Sequence, residues 1–229
     1  MGYQPYLREL PDANFAAVQN DRLKNSVFGT LKRATDFLIA GIALIFLLPV
    51  LVPIGIAIRL SDGGPALFKQ RRIGRDGREF LCYKFRSMVV DADVRLKRLL
   101  ETDLRARAEW QATQKLDSDP RITKFGQFLR KSSLDELPQL INILKGEMSL
   151  VGPRPIVRNE IEKYGEYFSH YSHVRPGLTG LWQVSGRSET TYGERVALDV
   201  KYVSEWSYSG DLVIMVKTVP AVLLSDGAR

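Results

Sequence analysis

Phe37 to Ile58, FLIAGIALIFLLPVLVPIGIAI, runs for 22 residues without a charge, and the architecture turns on how it is read. About 20 apolar residues suffice to cross a bilayer as a helix, so its length alone qualifies. It begins only at residue 37, follows a polar segment and lacks a small-residue cleavage site, which argues against a cleaved leader. Two prolines, Pro49 and Pro53, lie inside it. Each lacks an N–H, and its ring presses on the carbonyl four residues earlier, so a kink or break is expected near the middle. Three arrangements meet these facts: a kinked spanning helix, a re-entrant helix–break–helix, and a buried helix of a soluble core. Lys32 and Arg33 precede the segment, and Arg59, Lys69, Arg71, Arg72 and Arg75 follow it. Positive charge on both sides gives no inside–outside asymmetry. Length favours the spanning helix; the symmetric charges favour a segment that enters and leaves by one face.

Outside this segment the chain is ordinary for a folded protein. Its 229 residues fit one domain, with 45% hydrophobic and 26% charged residues. The net charge of +7 calls for a negatively charged partner: nucleic acid, anionic lipid or nucleotide phosphates. No zinc finger or helix-turn-helix signature supports nucleic acid, which leaves lipid and nucleotide phosphates. The single cysteine, Cys82, has no internal disulfide partner and reads as a small core residue.

Residues 1–30 read as a loosely ordered arm. Pro65–Lys69 and Phe80–Phe85 read as short strands joined by a turn at Gly74, Asp76 and Gly77, a β-hairpin. Residues 91–116 form a charged helix or helical pair, read as a solvated surface. Helices are expected over 137–145, closed by Gly146, and over 158–169, 193–206 and 210–224. The last has an apolar face, Leu212, Val213, Met215, Val216 and Val219, suited to a membrane surface or to the core. The fold class is α+β, helix-rich, with a small β-hairpin and interfacial amphipathic helices.

Ser132-Ser-Leu-Asp-Glu-Leu-Pro-Gln139 places two carboxylates, Asp135 and Glu136, at the mouth of a helix. Ser133 to Glu136 also matches a capping box, in which Ser and Glu satisfy each other's backbone donors. Pro138 counters that reading, because proline suits the first helical turn and would start the helix later. Paired carboxylates there suit phosphoryl chemistry: one oxygen attacks phosphorus while the other group holds a divalent cation. Further on, Ser149-Leu-Val-Gly-Pro-Arg-Pro155 makes a stiff turn carrying one charge, Arg154, suited to bidentate phosphate binding. Basic residues also gather at Lys84-Phe-Arg86 and at Arg187. His170 and His173 have helical metal-ligand spacing but no Cys or carboxylate companion, so they read as surface histidines. Walker A, GxGxxG and HExxH patterns are absent.

KRATDFLIAGIALIFLLPVLVPIGIAIRLSDGGPALFKQRRIG, YKFRSM, LRKSSLDELPQLINILKGEMSLVGPRP and VRPGLTGLWQVSGR, in this order, resemble the bacterial sugar transferases. These are monotopic phosphoglycosyl transferases, and the likeness runs from Lys32 to the end of the chain. GLWQVSGR and DLVIMVKTVPAVLLS look most similar to the succinoglycan-type galactose-1-phosphate transferases.

The resemblance implies a two-step transfer of a hexose 1-phosphate, galactose or glucose, from a UDP-sugar to undecaprenyl (polyprenyl) phosphate in exopolysaccharide synthesis. By that likeness Asp135 attacks the sugar-bearing phosphate and expels UMP, and Glu136 holds Mg²⁺. Lys84, Arg86, Arg154 and Arg187 correspond to basic substrate-binding positions, and Asp211 to an acidic one. Pro49 corresponds to the break of a re-entrant membrane helix, with Leu48 before it where many relatives carry serine. The implied organisation is an arm over 1–30, the re-entrant helix over 31–60, and a catalytic domain over 61–229. That domain would lie on the cytoplasmic face of the bacterial inner membrane, in contact with its lipids. From the residues themselves, the apolar helices and the charged 91–116 region, self-association is the expected oligomeric state, with a membrane-held monomer as the alternative. A glycosyltransferase releasing UDP and a non-catalytic adaptor of a polysaccharide assembly complex are the competing classes.

Overall fold

A computed structural model describes residues 27–113, 116, 118–185 and 190–223. Its spine is one helix, α1, Val27–Asp62, with Pro49 and Pro53 both inside it. Among the described residues it is the one helix long and apolar enough to cross a membrane. The helical backbone runs through both prolines as one element, although neither proline donates to the carbonyl four residues before it. One face is occupied by the rest of the molecule. Asp36, Ala40, Leu51, Ile54 and Ile58 are buried, and Leu44 and Leu47 pack beside them. These positions step by three or four residues, as one helical stripe must. The opposite face is bare: Ile45 is 71% and Phe46 80% exposed.

Asp36 fastens the start of this stripe. Its carboxylate accepts the Ser149 hydroxyl at 2.7 Å and the Leu150 N–H at 3.0 Å, with the Arg33 guanidinium 3.7 Å away. Arg33 donates onward to the carbonyls of Met148 and Ile143. A buried carboxylate persists only when its oxygens are satisfied in this way.

The hairpin is present: β1, Leu67–Ile73, pairs antiparallel with β2, Glu79–Phe85, in the register Leu67↔Phe85 to Ile73↔Glu79. Gly77 (φ 70°) and Asp76 (φ 58°) make the turn, where the left-handed backbone suits Gly and Asp. Cys82 is buried in the core, as its neighbours imply, and burial pushes its thiol up to about 11. The charged pair of helices follows as α2, Ala92–Thr102, and α3, Leu104–Thr113. Then come α4, Lys124–Lys131, and α5, Gln139–Leu144.

β3, Ser149–Val151, pairs in parallel with β4, Gly177–Thr179, a second two-stranded ladder joining distant segments. Between them lie α6, Ile161–Tyr164, and α7, Phe168–His173, where one helix over 158–169 was expected. Gly165 (φ 54°) interrupts that helix. α7 carries both histidines, but His170 is fully buried, so it is a core residue and not a surface histidine. Gly152 and Gly177 let the GPRP and PGLTG turns touch: a Cβ on Gly177 would meet the Gly152 nitrogen at 2.1 Å. α8, Leu181–Ser185, α9, Tyr192–Ser204, and α10, Tyr208–Leu223, complete the described chain. α10 buries Asp211 and Ile214 and leaves Leu212, Val213, Val216 and Val219 exposed.

Asn142 on α5 joins the hairpin to the rest. Wholly buried, its Oδ1 accepts the Tyr83 N–H at 3.0 Å while its Nδ2 donates to the Leu81 carbonyl at 2.7 Å. The side chain thus serves β2 as a short third strand. Asn142→Ala should cost about 3 kcal/mol by stranding two backbone groups, read as a lowered unfolding midpoint in detergent or nanodiscs. Asn142→Asp should fail to rescue, because a carboxylate cannot donate to Leu81 and would face Glu147, which also accepts from Nδ2.

Candidate active site at the Asp135–Glu136 turn

α4 ends at Lys131, and Ser133 then adopts a left-handed conformation (φ 56°) that turns the chain sharply. Residues Leu134–Glu136 form a single 3-10 turn, and α5 begins after Pro138. Ser133 makes no side-chain cap, so the capping box is not formed and the later, proline-led start is. Leu134 and Leu137 pack with Leu44, Leu47, Leu51, Ile54 and Ile58 of α1, together with Phe85 and Leu129. With both flanking leucines packed half-buried against α1, the intervening carboxylates are held beside the strand that carries Lys84.

Lys84, near the end of β2, donates to Glu136 Oε1 at 2.5 Å, with both side chains partly exposed. Asp135 is pushed up to about 6, first by burial and then by the Glu136 charge beside it; Lys84 and Arg130 oppose the rise. Arg130 belongs to the last turn of α4 and is largely buried, with Nε donating to the Ser87 hydroxyl at 2.9 Å. Tight packing fixes it: a Cβ on Gly126, one turn earlier, would come within 1.9 Å of the Ser87 carbonyl. Arg130 was not among the residues singled out from the sequence, although it stands five positions before Asp135. Its burial and its reach to Asp135 emerge only when α4 docks on Ser87.

The other expected site residues lie elsewhere in the fold. Arg86 pairs with Asp62 and reaches the Ile58 carbonyl, tying the end of β2 to the end of α1. Arg154 pairs with Glu160 at 3.3 Å, and Arg72 approaches the same carboxylate at 3.7 Å. Beside Arg154 and Arg195 lies Asp199, which burial raises to about 7 and which accepts the Tyr164 hydroxyl at 2.7 Å. Asp211 is buried and takes bonds from Lys32 (2.6 Å), Tyr202 (2.9 Å) and Trp206 (3.0 Å), so in this structure it anchors α10 to α1. Arg187 lies outside the described residues. Asp135, Glu136 and Lys84 are therefore together; Arg86, Arg154 and Asp211 each hold a different junction.

A dication fits the donor set. Two adjacent carboxylates, one desolvated and raised by the other, present hard oxygens whose repulsion a cation would relieve. Among the described residues no three His, Cys, Asp or Glu side chains cluster for a metal. Two carboxylates completed by water and substrate phosphate are the usual ligation of Mg²⁺.

Asp135 is expected to titrate near pH 6, measured by carbon-detected NMR of its carboxyl. Arg130→Gln should move that midpoint upward, since it removes a cation that favours the ionised form.

The profile of the bacterial sugar transferase family matches residues 27–225. The exopolysaccharide production protein ExoY of Rhizobium meliloti is 50% identical over 200 residues, covering 87% of this chain and 88% of ExoY. The undecaprenyl-phosphate galactose phosphotransferase of Salmonella typhimurium is 49% identical over 211 residues, 92% of this chain and 44% of that protein. The UDP-glucose:undecaprenyl-phosphate glucose-1-phosphate transferase of Escherichia coli is 44% identical over 197 residues, 82% of this chain and 39% of that protein. The chain thus spans less than half the length of the last two.

Proposed function

Because this chain belongs to the bacterial sugar transferase family, we propose that it transfers a hexose 1-phosphate from a UDP-sugar to undecaprenyl phosphate, releasing UMP. The observation that carries this reading is the half-buried Asp135 set between Glu136, Lys84 and Arg130. A carboxylate raised to about 6 is mostly ionised at neutral pH yet poorly solvated, and so a competent nucleophile. In the first step an Asp135 oxygen bonds to the sugar-bearing phosphorus. The bond from that phosphorus to the bridging oxygen breaks, and UMP leaves with the electron pair. In the second, an oxygen of the lipid phosphate attacks the same phosphorus and returns the carboxylate to Asp135. Lys84 and Arg130 counter the charge that builds on the phosphoryl oxygens. Mg²⁺, held by Glu136, would supply charge neutralisation for the diphosphate. Arg86, Arg154, Arg187 and Asp211 keep their proposed parts in substrate binding by resemblance; for Asp211 the contacts support an indirect one. Whether the hexose is galactose or glucose is for the donor assay to decide.

The purified protein in nanodiscs with undecaprenyl phosphate, Mg²⁺ and a panel of UDP-sugars should release UMP with one of them. Asp135→Asn should lower that rate at least about 10³-fold, and EDTA should abolish it. Release of UDP would instead make the chain a glycosyltransferase and remove the nucleophile's role. An intact rate in Asp135→Asn would do the same.

The one-sided packing of α1 supports a monotopic arrangement, and the family resemblance carries the proposal that it lies at the cytoplasmic face of the inner membrane. The buried stripe of α1 runs from Asp36 to Ile58, about 33 Å at helical rise. A helix crossing the ~30 Å hydrocarbon with the domain alongside would carry Lys84, Glu136 and Arg130 into lipid. Lying in the interface with its bare face toward the acyl chains, α1 avoids that cost, and its two ends remain on one side. Single cysteines replacing Ala34 and Ser61, on a background where Cys82 is buried, should both label from the cytoplasmic side with an impermeant maleimide. Labelling from opposite sides would establish a spanning helix.

A further inference from the structure

A cavity of about 460 Å³ opens between the first described turns of α1, the hairpin turn and the segment after α7. It lies far from the carboxylate pair. Arg75, in its wall, follows β1 at the turn, whereas Lys84 lies near the far end of β2. Seven residues of strand put these two roughly 20 Å apart. The cavity therefore belongs to a different part of the molecule from Asp135.

Its polar lining is dominated by cations: Lys32, Arg33, Arg75 and Arg175, with His173 beside them. Two of these are committed to the fold. Lys32 holds Asp211 and the Val151 carbonyl, and Arg33 holds two carbonyls next to Asp36. Arg175 is not. Among the described residues its guanidinium makes one hydrogen bond, from Nε to the Gly146 carbonyl at 2.8 Å, and has no carboxylate within ion-pair distance. It is flanked by the like charges of Arg33 and Arg75. The acidic groups that face it are Asp36, already taken by Ser149 and Leu150, and Asp76, on the exposed turn 3.4 Å from Arg75. Arg33 has Asp36 at 3.7 Å and Arg75 has Asp76 at 3.4 Å, so Arg175 is the guanidinium left facing like charges without a carboxylate of its own, and an anion beside it would offset them.

We infer that this cavity is a second anion site, in which Arg75 and Arg175 grip a phosphate group carried by a small phosphate ester or by a lipid headgroup. Guanidinium forks match phosphate oxygens in pairs, and the volume exceeds that of a bare phosphate, leaving room for the ester it carries. Both sources reach the mouth. Gly29 and Thr30 line it, and their neighbours Val27, Phe28 and Leu31 are exposed apolar residues, the kind of surface that a lipid headgroup could approach with its chains alongside. Occupancy would fasten the start of α1 to the hairpin turn and to the loop after α7.

The test uses the full chain in nanodiscs and follows its unfolding midpoint. Inorganic phosphate and then UMP are titrated in neutral phosphatidylcholine, and separately the phosphatidylglycerol fraction is raised without added phosphate. The same series is run on Asp135→Asn, Arg75→Gln and Arg175→Gln. Arg75 is partly exposed, so its variant is expected to fold even if Arg175→Gln, which loses the Gly146 bond, does not. A rise in midpoint that survives in Asp135→Asn and needs at least tenfold more ligand in Arg75→Gln supports the site. If soluble phosphate produces it the source is a phosphate ester, and if only phosphatidylglycerol does the source is a headgroup. A rise equal in wild type and Arg75→Gln, or one lost in Asp135→Asn, overturns the proposal, as does no rise in either arm. Failure here leaves the Asp135 chemistry untouched, since UMP release is measured independently.

Discussion

Everything else in the structure depends on α1 having two apolar faces with different partners. One face packs on Leu134, Leu137, Phe85 and Leu129, and the other has no protein against it. The inner contact sets the height of the carboxylate turn: Leu134 and Leu137 are the flanks of Asp135 and Glu136, so the position of the charges follows from the burial of their neighbours. Under the proposed function, a carboxylate pair fixed by leucines against this helix would stand where a soluble nucleotide-sugar and a lipid phosphate could meet. Hydrophobic burial here performs a positioning task, and the polar bonds of Asp36 and Asn142 set the register within which it acts.

Electrostatic roles follow the same division. Lys84 and Arg130 reach the pair from two different elements, one from the hairpin and one from α4. Neither neutralises Asp135, because burial and Glu136 outweigh them. The raised carboxyl thus reflects a balance among four side chains from three elements, and α4 contributes only because Gly126 lets it close on Ser87. The remaining arginines have structural work. Arg86 closes the end of α1 and Arg154 shares Glu160 with Arg72, so a phosphate contact by either would have to compete with an existing carboxylate partner.

Local chemistry made much of this legible from the chain. Gly74, Asp76 and Gly77 marked the hairpin, the last two because the tight turn needs left-handed backbone there, and Pro138 marked the start of α5. The stripe on α1 was hidden because a segment apolar all round carries no periodic contrast to read. Ser133 was ambiguous between cap and turn, and the packing of two leucines decided it. The β3–β4 ladder, the Asn142 bridge and the docking of Arg130 join residues far apart in sequence, which no local pattern encodes. For the same reason Asp211 matched a motif while its partners, Lys32, Tyr202 and Trp206, could not be foreseen.

The two prolines of α1 also limit how deep the helix can sit. Neither offers an N–H, so the carbonyls of Ile45 and Pro49 lack their usual helical donors. Both residues are on the exposed side. In dry hydrocarbon each such oxygen would cost several kcal/mol, a penalty that water or a headgroup donor removes. The middle of the most apolar segment is therefore its thirstiest point. In the interfacial arrangement proposed above, a helix with that requirement would float at the depth where hydration still reaches, and going lower would require the bilayer to thin or admit water.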